Sequence, residues 1–113
     1  MTDCLFCKIV RGEIPAKEAY RDNEIVAIED VNPQAPLHLL VMPVEHFGNA
    51  GAIVAAGDDA LFGRIMAVAA ELGVERGDAG YRLVINSGLD GGQTVDHLHV
   101  HVLGGRHMEW PPG

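Results

Sequence analysis

From Asp96 to Gly105 the chain alternates polar and apolar residues one by one: His97, Leu98, His99, Val100, His101, Val102, Leu103, then Gly104-Gly105. A period of two is the signature of a strand, whose successive side chains point to opposite faces. The pattern predicts a strand with His97, His99 and His101 on one face and Leu98, Val100 and Val102 on the other. At roughly 3.3 Å per residue, neighbouring histidines stand about 6.6 Å apart at Cα and the outer pair about 13 Å, too far to share one metal ion. An ordinary core face would carry Val, Ile or Leu, so three imidazoles together point to chemistry.

The other elements follow from the same kind of pattern. Leu61, Ile65, Val68 and Leu72 recur at three- and four-residue spacing behind Asp58-Asp59, which predicts one long helix ended by Gly73 or Gly77. Cys4 to Gly12 reads as a short N-terminal helix. Ala19 to Arg21 and Glu24 to Asp30 read as strands joined at Asp22-Asn23, His38 to Pro43 as a mostly buried strand, and Tyr81 to Asn86 as another. Val31 to Pro36 contains two prolines and is irregular. The stretch from Gly48 to Gly57 is too rich in Ala and Gly to assign, and Trp110-Pro111-Pro112-Gly113 is not helical. Strands, one long helix and more strands make an α+β fold with a mainly antiparallel sheet and a short N-terminal helix, taken as one domain over residues 1–113.

Charge narrows the function. Eight Lys and Arg against 16 Asp and Glu give a net charge of −8 in 113 residues. A nucleic-acid-coating surface needs a basic patch, so no nucleic-acid partner is expected. No charged-then-apolar leader and no membrane-length apolar run is read in the sequence, so no membrane partner is expected and the location is expected to be cytoplasmic, with Cys4 and Cys7 reduced.

The loop before the histidines, Asn86-Ser87-Gly88-Leu89-Asp90-Gly91-Gly92-Gln93-Thr94, is glycine-rich. Such a loop can turn successive amides onto an anion, with Gln93 and Thr94 adding side-chain donors. Next to three co-facial histidines it reads as a phosphate cradle. His99, flanked by two imidazoles, is the candidate for attack on phosphorus. A rival reading takes His97-x-His99 as a metal chelate completed by His38 or Asp96. Cys4-x-x-Cys7 is open to three readings: a redox pair, half of a zinc site, or two buried thiols. His107 has no assigned role.

The string His97-Leu98-His99-Val100-His101-Val102-Leu103 resembles the signature of the histidine triad (HIT) superfamily of nucleotide hydrolases and transferases. The resemblance extends through Phe6-Cys7-Lys8-Ile9, Glu13-Ile14-Pro15-Ala16, Asn32 to His38, Asp90 to Thr94 and Gly104-Gly105-Arg106. The ending Met108 to Gly113 is similar to that of the histidine triad nucleotide-binding (Hint) branch.

That resemblance implies a HIT fold and a purine nucleoside phosphoramidate hydrolase, an adenosine 5′-monophosphoramidase. Its nucleophile would be His99, forming a covalent nucleotidyl-histidine. It implies that His101 contacts the α-phosphate and that the His97 carbonyl sets the tautomer of His99. Gln93 and Thr94 would bind phosphate and leaving group, Asn86 and the Gly92 amide phosphate and ribose, and Asp30 the ribose hydroxyls. Val31 would line the base pocket and His38 would support the triad from behind. It further implies a homodimer built on the long helix and a strand, with Trp110 near the partner's site. Prokaryotic members of similar pattern hold a structural zinc on residues matching Cys4, Cys7, His46 and His97, with no cofactor in catalysis. Two other classes stay open: a nucleotide-binding module with little turnover, and a metal-dependent hydrolase.

Overall fold

The computed structural model describes residues 4–113. The chain runs α1 (Leu5–Val10), β1 (Glu18–Arg21), β2 (Ile25–Glu29), β3 (Leu37–Pro43), α2 (Ala50–Ala55), α3 (Asp59–Arg76), β4 (Tyr81–Val84) and β5 (Val100–Gly104). The strands form one sheet in the order β1-β2-β3-β5-β4, every pair antiparallel. This is the expected α+β architecture. The turn between β1 and β2 is made by Asp22, whose Oδ1 accepts the amides of Glu24 and Ile25 at 2.7 and 2.8 Å.

The two faces of the sheet do different work. Ile25, Ala27, Leu39, Val41, Leu98, Val100 and Val102 pack on one side with Leu61, Ile65, Val68, Ala69 and Leu72 of α3. Val26, Ile28, Leu40 and Met42 point the other way and pack with Phe6, Ile9 and Val10 of α1. His101 pairs with Leu40 in register, and cross-strand partners share a face. The triad therefore lies on the α1 face, and the long helix seals the opposite one.

Two departures from the sequence reading have local causes, and one open choice is settled between them. The segment left unassigned contains α2, started by Asn49, whose Oδ1 accepts the Ala52 amide at 2.9 Å. Of the two glycines expected to end the long helix, Gly77 does so, as the cap after Arg76. Gly73 is there for space, since a Cβ at that position would meet the Tyr81 ring at 2.4 Å.

The second departure concerns the histidine strand, which enters the ladder only at Val100, so His97 and His99 lie outside it. The register that pairs Val41 with Val100 would bring Pro43 opposite Leu98, and proline has no N–H to continue the pairing. The Leu98 amide goes instead to the Phe47 carbonyl at 2.7 Å. Among the described residues no helix is long and apolar enough to cross a membrane.

Helix propensity alone favours alanine over glycine by about 1 kcal/mol. Contact with Tyr81 reverses that sign at position 73. Gly73→Ala is expected to lower stability, by about 1 kcal/mol or more, in urea denaturation; a gain would contradict the packing account.

Candidate active site

His99 is buried, and its ring is fixed by its own strand. Nδ1 lies 2.7 Å from the main-chain carbonyl of His97. A carbonyl only accepts, so Nδ1 carries the proton and Nε2 is left with a free lone pair. Burial, the largest cause, holds the imidazolium of His99 below the ordinary histidine range, against the opposing pull of the His97 carbonyl and of Asp30. The ring is neutral at pH 7.

His101 is fixed in the opposite sense, through a chain of bonds. The Gln34 amide donates to Nδ1 of His38 at 3.0 Å, so the proton of His38 sits on Nε2. That Nε2–H faces Nδ1 of His101 at 2.9 Å, which leaves His101 with a proton on Nε2. Asp30 Oδ2 stands 3.4 Å from the same His38 nitrogen. Burial first, then the neighbouring His99 and His38, push His101 down to about 4. The rings of His99 and His101 meet edge to face at 5.0 Å. A bare nitrogen and an N–H donor thus stand side by side.

His97 faces elsewhere. Its Nε2 donates to the Pro43 carbonyl at 2.8 Å, and its Nδ1 lies 3.4 Å from Cys4 Sγ and 3.5 Å from Cys7 Sγ. Cys7 Sγ is 3.3 Å from Nδ1 of His46. The ligand atoms of Cys4, Cys7, His46 and His97 all lie within 4.8 Å of one another. Both cysteines are free thiols, which leaves their sulfurs available to a metal. Burial and the adjacent Cys4 push the Cys7 thiol up, so ionising Cys7 calls for a nearby cation. Two thiols and two ring nitrogens, with the second nitrogen of His97 anchored on a carbonyl, fit a tetrahedral zinc. The cluster is compatible with structural zinc.

The chelate reading of His97-x-His99 does not hold. Each ring is turned to a different partner, His97 to the cysteines and Pro43, His99 to the main chain. Asp30, His38 and His101 also bring ligand atoms within 4.8 Å. There the Gln34 amide keeps the proton of His38 on the nitrogen that would have to bind, so this group works as a hydrogen-bond relay.

The loop between β4 and β5 is braced from inside. Gln93 donates to the carbonyls of Gly48 and Val95 at 2.7 and 3.0 Å and accepts the Gly88 amide at 3.0 Å. The Gly92 amide bonds the Leu89 carbonyl at 3.0 Å, and Asn86 donates to the Gly91 carbonyl at 2.7 Å. Gly91 has no room for a side chain, since a Cβ would meet the Ser87 carbonyl oxygen at 2.4 Å. The expected convergence of free amides is therefore not formed here. The Gly92 amide and the Gln93 carboxamide reach a phosphate only by exchanging these bonds, whereas Asn86 keeps a second N–H to donate and Thr94 is exposed.

A cleft of about 400 Å³ takes in Asp30 and His38 but neither His99 nor His101. Val31 and Trp110 are 98% and 80% exposed, so one chain does not bring them into an enclosed pocket. His107 is exposed, and no function follows from its position. Three groups escaped the sequence reading: the Phe6 ring, edge-on to His99 at 5.0 Å, the Gln34 amide and the Pro43 carbonyl. Phe6 sits between the two cysteines, which was the available signal. Main-chain partners leave no mark on residue type.

The family description HIT domain matches residues 11–108. An uncharacterized HIT-like protein of Synechocystis is 49% identical over 115 residues, covering 98% of this chain and 97% of that one. A 14 kDa zinc-binding protein of Zea mays is 43% identical over 111 residues, covering 96% and 87%. The crystal structure of a HIT family hydrolase from Legionella pneumophila superposes with a TM-score of 0.91 at 45% identity, covering 98% of this chain and all of the other. With nearly the whole chain matched in sequence and fold, and with the three histidines on the sheet face described above, the chain belongs to the HIT family.

Proposed function

We propose that this protein hydrolyses the P–N bond of purine nucleoside 5′-phosphoramidates, adenosine 5′-phosphoramidates above all, through a covalent nucleotidyl-histidine. HIT family proteins are hydrolases and bind nucleotides. One observation carries the finer reading: the bare Nε2 of His99 stands beside the Nε2–H of His101.

In the first step the Nε2 lone pair of His99 attacks the α-phosphorus. The P–N bond breaks, and the amine leaves with its electron pair and takes a proton from water. In the second step water attacks phosphorus and gives its proton to the hydroxide left by the first, the bond to His99 breaks, the lone pair returns to Nε2, and the nucleoside monophosphate departs. Because His101 is neutral at pH 7, it serves as a hydrogen-bond donor to a phosphoryl oxygen, not as a proton source. His38 and Asp30 keep that donor aimed. Thr94 adds its hydroxyl and Asn86 its second amide N–H, while Gln93 and the Gly92 amide contact phosphate and ribose once their loop bonds exchange. Asp30 also meets the ribose hydroxyls and Val31 the base.

Zinc on Cys4, Cys7, His46 and His97 supplies a cross-link between α1 and the segments on either side of the site; the reaction itself uses no cofactor. The working unit is a homodimer, in which Trp110 is contributed near the partner's pocket. The exposure of Val31 and Trp110 supports that assembly.

His99→Ala is expected to reduce hydrolysis of a fluorogenic adenosine phosphoramidate by on the order of 10³-fold or more, while AMP still binds by calorimetry. Turnover within tenfold of wild type would overturn the mechanism. Since burial lowers the pKa of His99, its neutral form persists below the ordinary 6.5. The acid limb of kcat/KM is therefore expected below pH 6.5; a limb above it would contradict the assigned nucleophile.

A further inference from the structure

We infer that the Cys4–Cys7–His46–His97 cluster positions the nucleophile, so that loading it with metal sets the orientation and tautomer of the His99 ring as well as tying down the fold. The inference rests on the reading of His99 as nucleophile.

The segment that bears His99 is anchored on one face by the buried Leu98 and Val100, and on the histidine face by few main-chain bonds. Val100 is the first residue of β5, and the ladder stops at Pro43 of the neighbouring strand. Leading into His99, the main chain keeps the Leu98 amide bond to Phe47 at 2.7 Å and the His97 amide bond to Val95 at 2.9 Å. On that face a further restraint is the ring of His97, fully buried, with one nitrogen on the Pro43 carbonyl and the other facing both cysteine sulfurs.

The same residue offers its carbonyl to Nδ1 of His99 at 2.7 Å. Releasing the His97 ring frees the backbone of the residue whose carbonyl fixes the tautomer of His99. One residue thus serves the cluster with its side chain and the nucleophile with its main chain.

A second link runs through α1. Phe6 lies between the two cysteines, and its ring packs edge-on against His97 at 6.0 Å and His99 at 5.0 Å. That helix is six residues long, too short to hold its shape alone. Cys4 caps it, its Sγ accepting the Cys7 amide at 3.3 Å. Binding at the cysteines therefore fixes the helix, and with it the apolar wall against the nucleophile. The two links are independent, one covalent along the chain and one by packing.

The test uses full-length protein labelled with ¹⁵N-histidine, zinc-loaded and chelated, with circular dichroism as the check on folding. In the folded metal-free protein, the His99 nitrogen signals are expected to move from a single Nδ1–H tautomer toward an average of two. The kcat on the fluorogenic phosphoramidate should fall about tenfold or more, with KM within about twofold, and added zinc should restore both. Unchanged His99 signals and kcat in the folded metal-free protein would overturn the inference and leave metal a purely structural role.

If chelation unfolds the chain, zinc-loaded Phe6→Leu carries the test. It keeps every proposed ligand and removes the ring against His99. A several-fold loss in kcat with altered His99 signals supports the coupling; wild-type values for both overturn it. Should wild type show no turnover at all, the proposed function fails, and the nitrogen signals still judge the coupling by themselves.

Discussion

The bond from Nδ1 of His99 to the carbonyl of His97, at 2.7 Å, is the constraint on which the rest depends. It spans two residues of one extended segment, so it is made locally and costs almost no chain entropy to close. It decides which nitrogen holds the proton and therefore which nitrogen has a lone pair to offer. The relay from the Gln34 amide through His38 decides the same question for His101 and answers it the other way. Two chemically identical side chains, two residues apart, become an acceptor and a donor because each is hydrogen-bonded at Nδ1 to a group of opposite character.

The fold makes this arrangement affordable. Leu98, Val100 and Val102 are fully buried against α3, and burial contributes about 1.5–3 kcal/mol for each such side chain. The alternating histidines go to the other face, where burial opposes their charged forms. They avoid the roughly 1–3 kcal/mol cost of an unsatisfied buried polar group, because among the described residues no buried side-chain nitrogen or oxygen lacks a partner. Burial thus yields neutral imidazoles, and neutral imidazole is the form that can act as a nucleophile at pH 7. Core packing and site chemistry are written into alternate positions of one stretch.

Much of this was legible in the sequence, and the parts that were not share a cause. Period-two alternation identified the shared face of the histidines, and three- and four-residue spacing identified α3. The grouping of Cys4, Cys7, His46 and His97 came from family resemblance, and the structure brings those four together. What residue type does not encode is main-chain bonding. The early end of the ladder at Pro43, the loop amides already bonded within the loop, and the Gln34 amide behind His38 all depend on where backbone groups point. Gly73 and Gly77 read alike as stop signals; Gly77 is the cap, and packing is what sets Gly73 apart, since it makes room for Tyr81. By resemblance Val31 was placed in the base pocket and Trp110 near the partner's site, and in one chain both face outward.

The central claim is that phosphorus bonds to Nε2 of His99. Rapid acid-free quenching of the enzyme with an adenosine phosphoramidate, followed by digestion and mass spectrometry, tests it most directly. The account predicts a transient adenylyl adduct confined to the peptide carrying His97 to His101 and localised to His99 by fragmentation. An adduct on another residue, or steady turnover with no adduct at any time point, would contradict it.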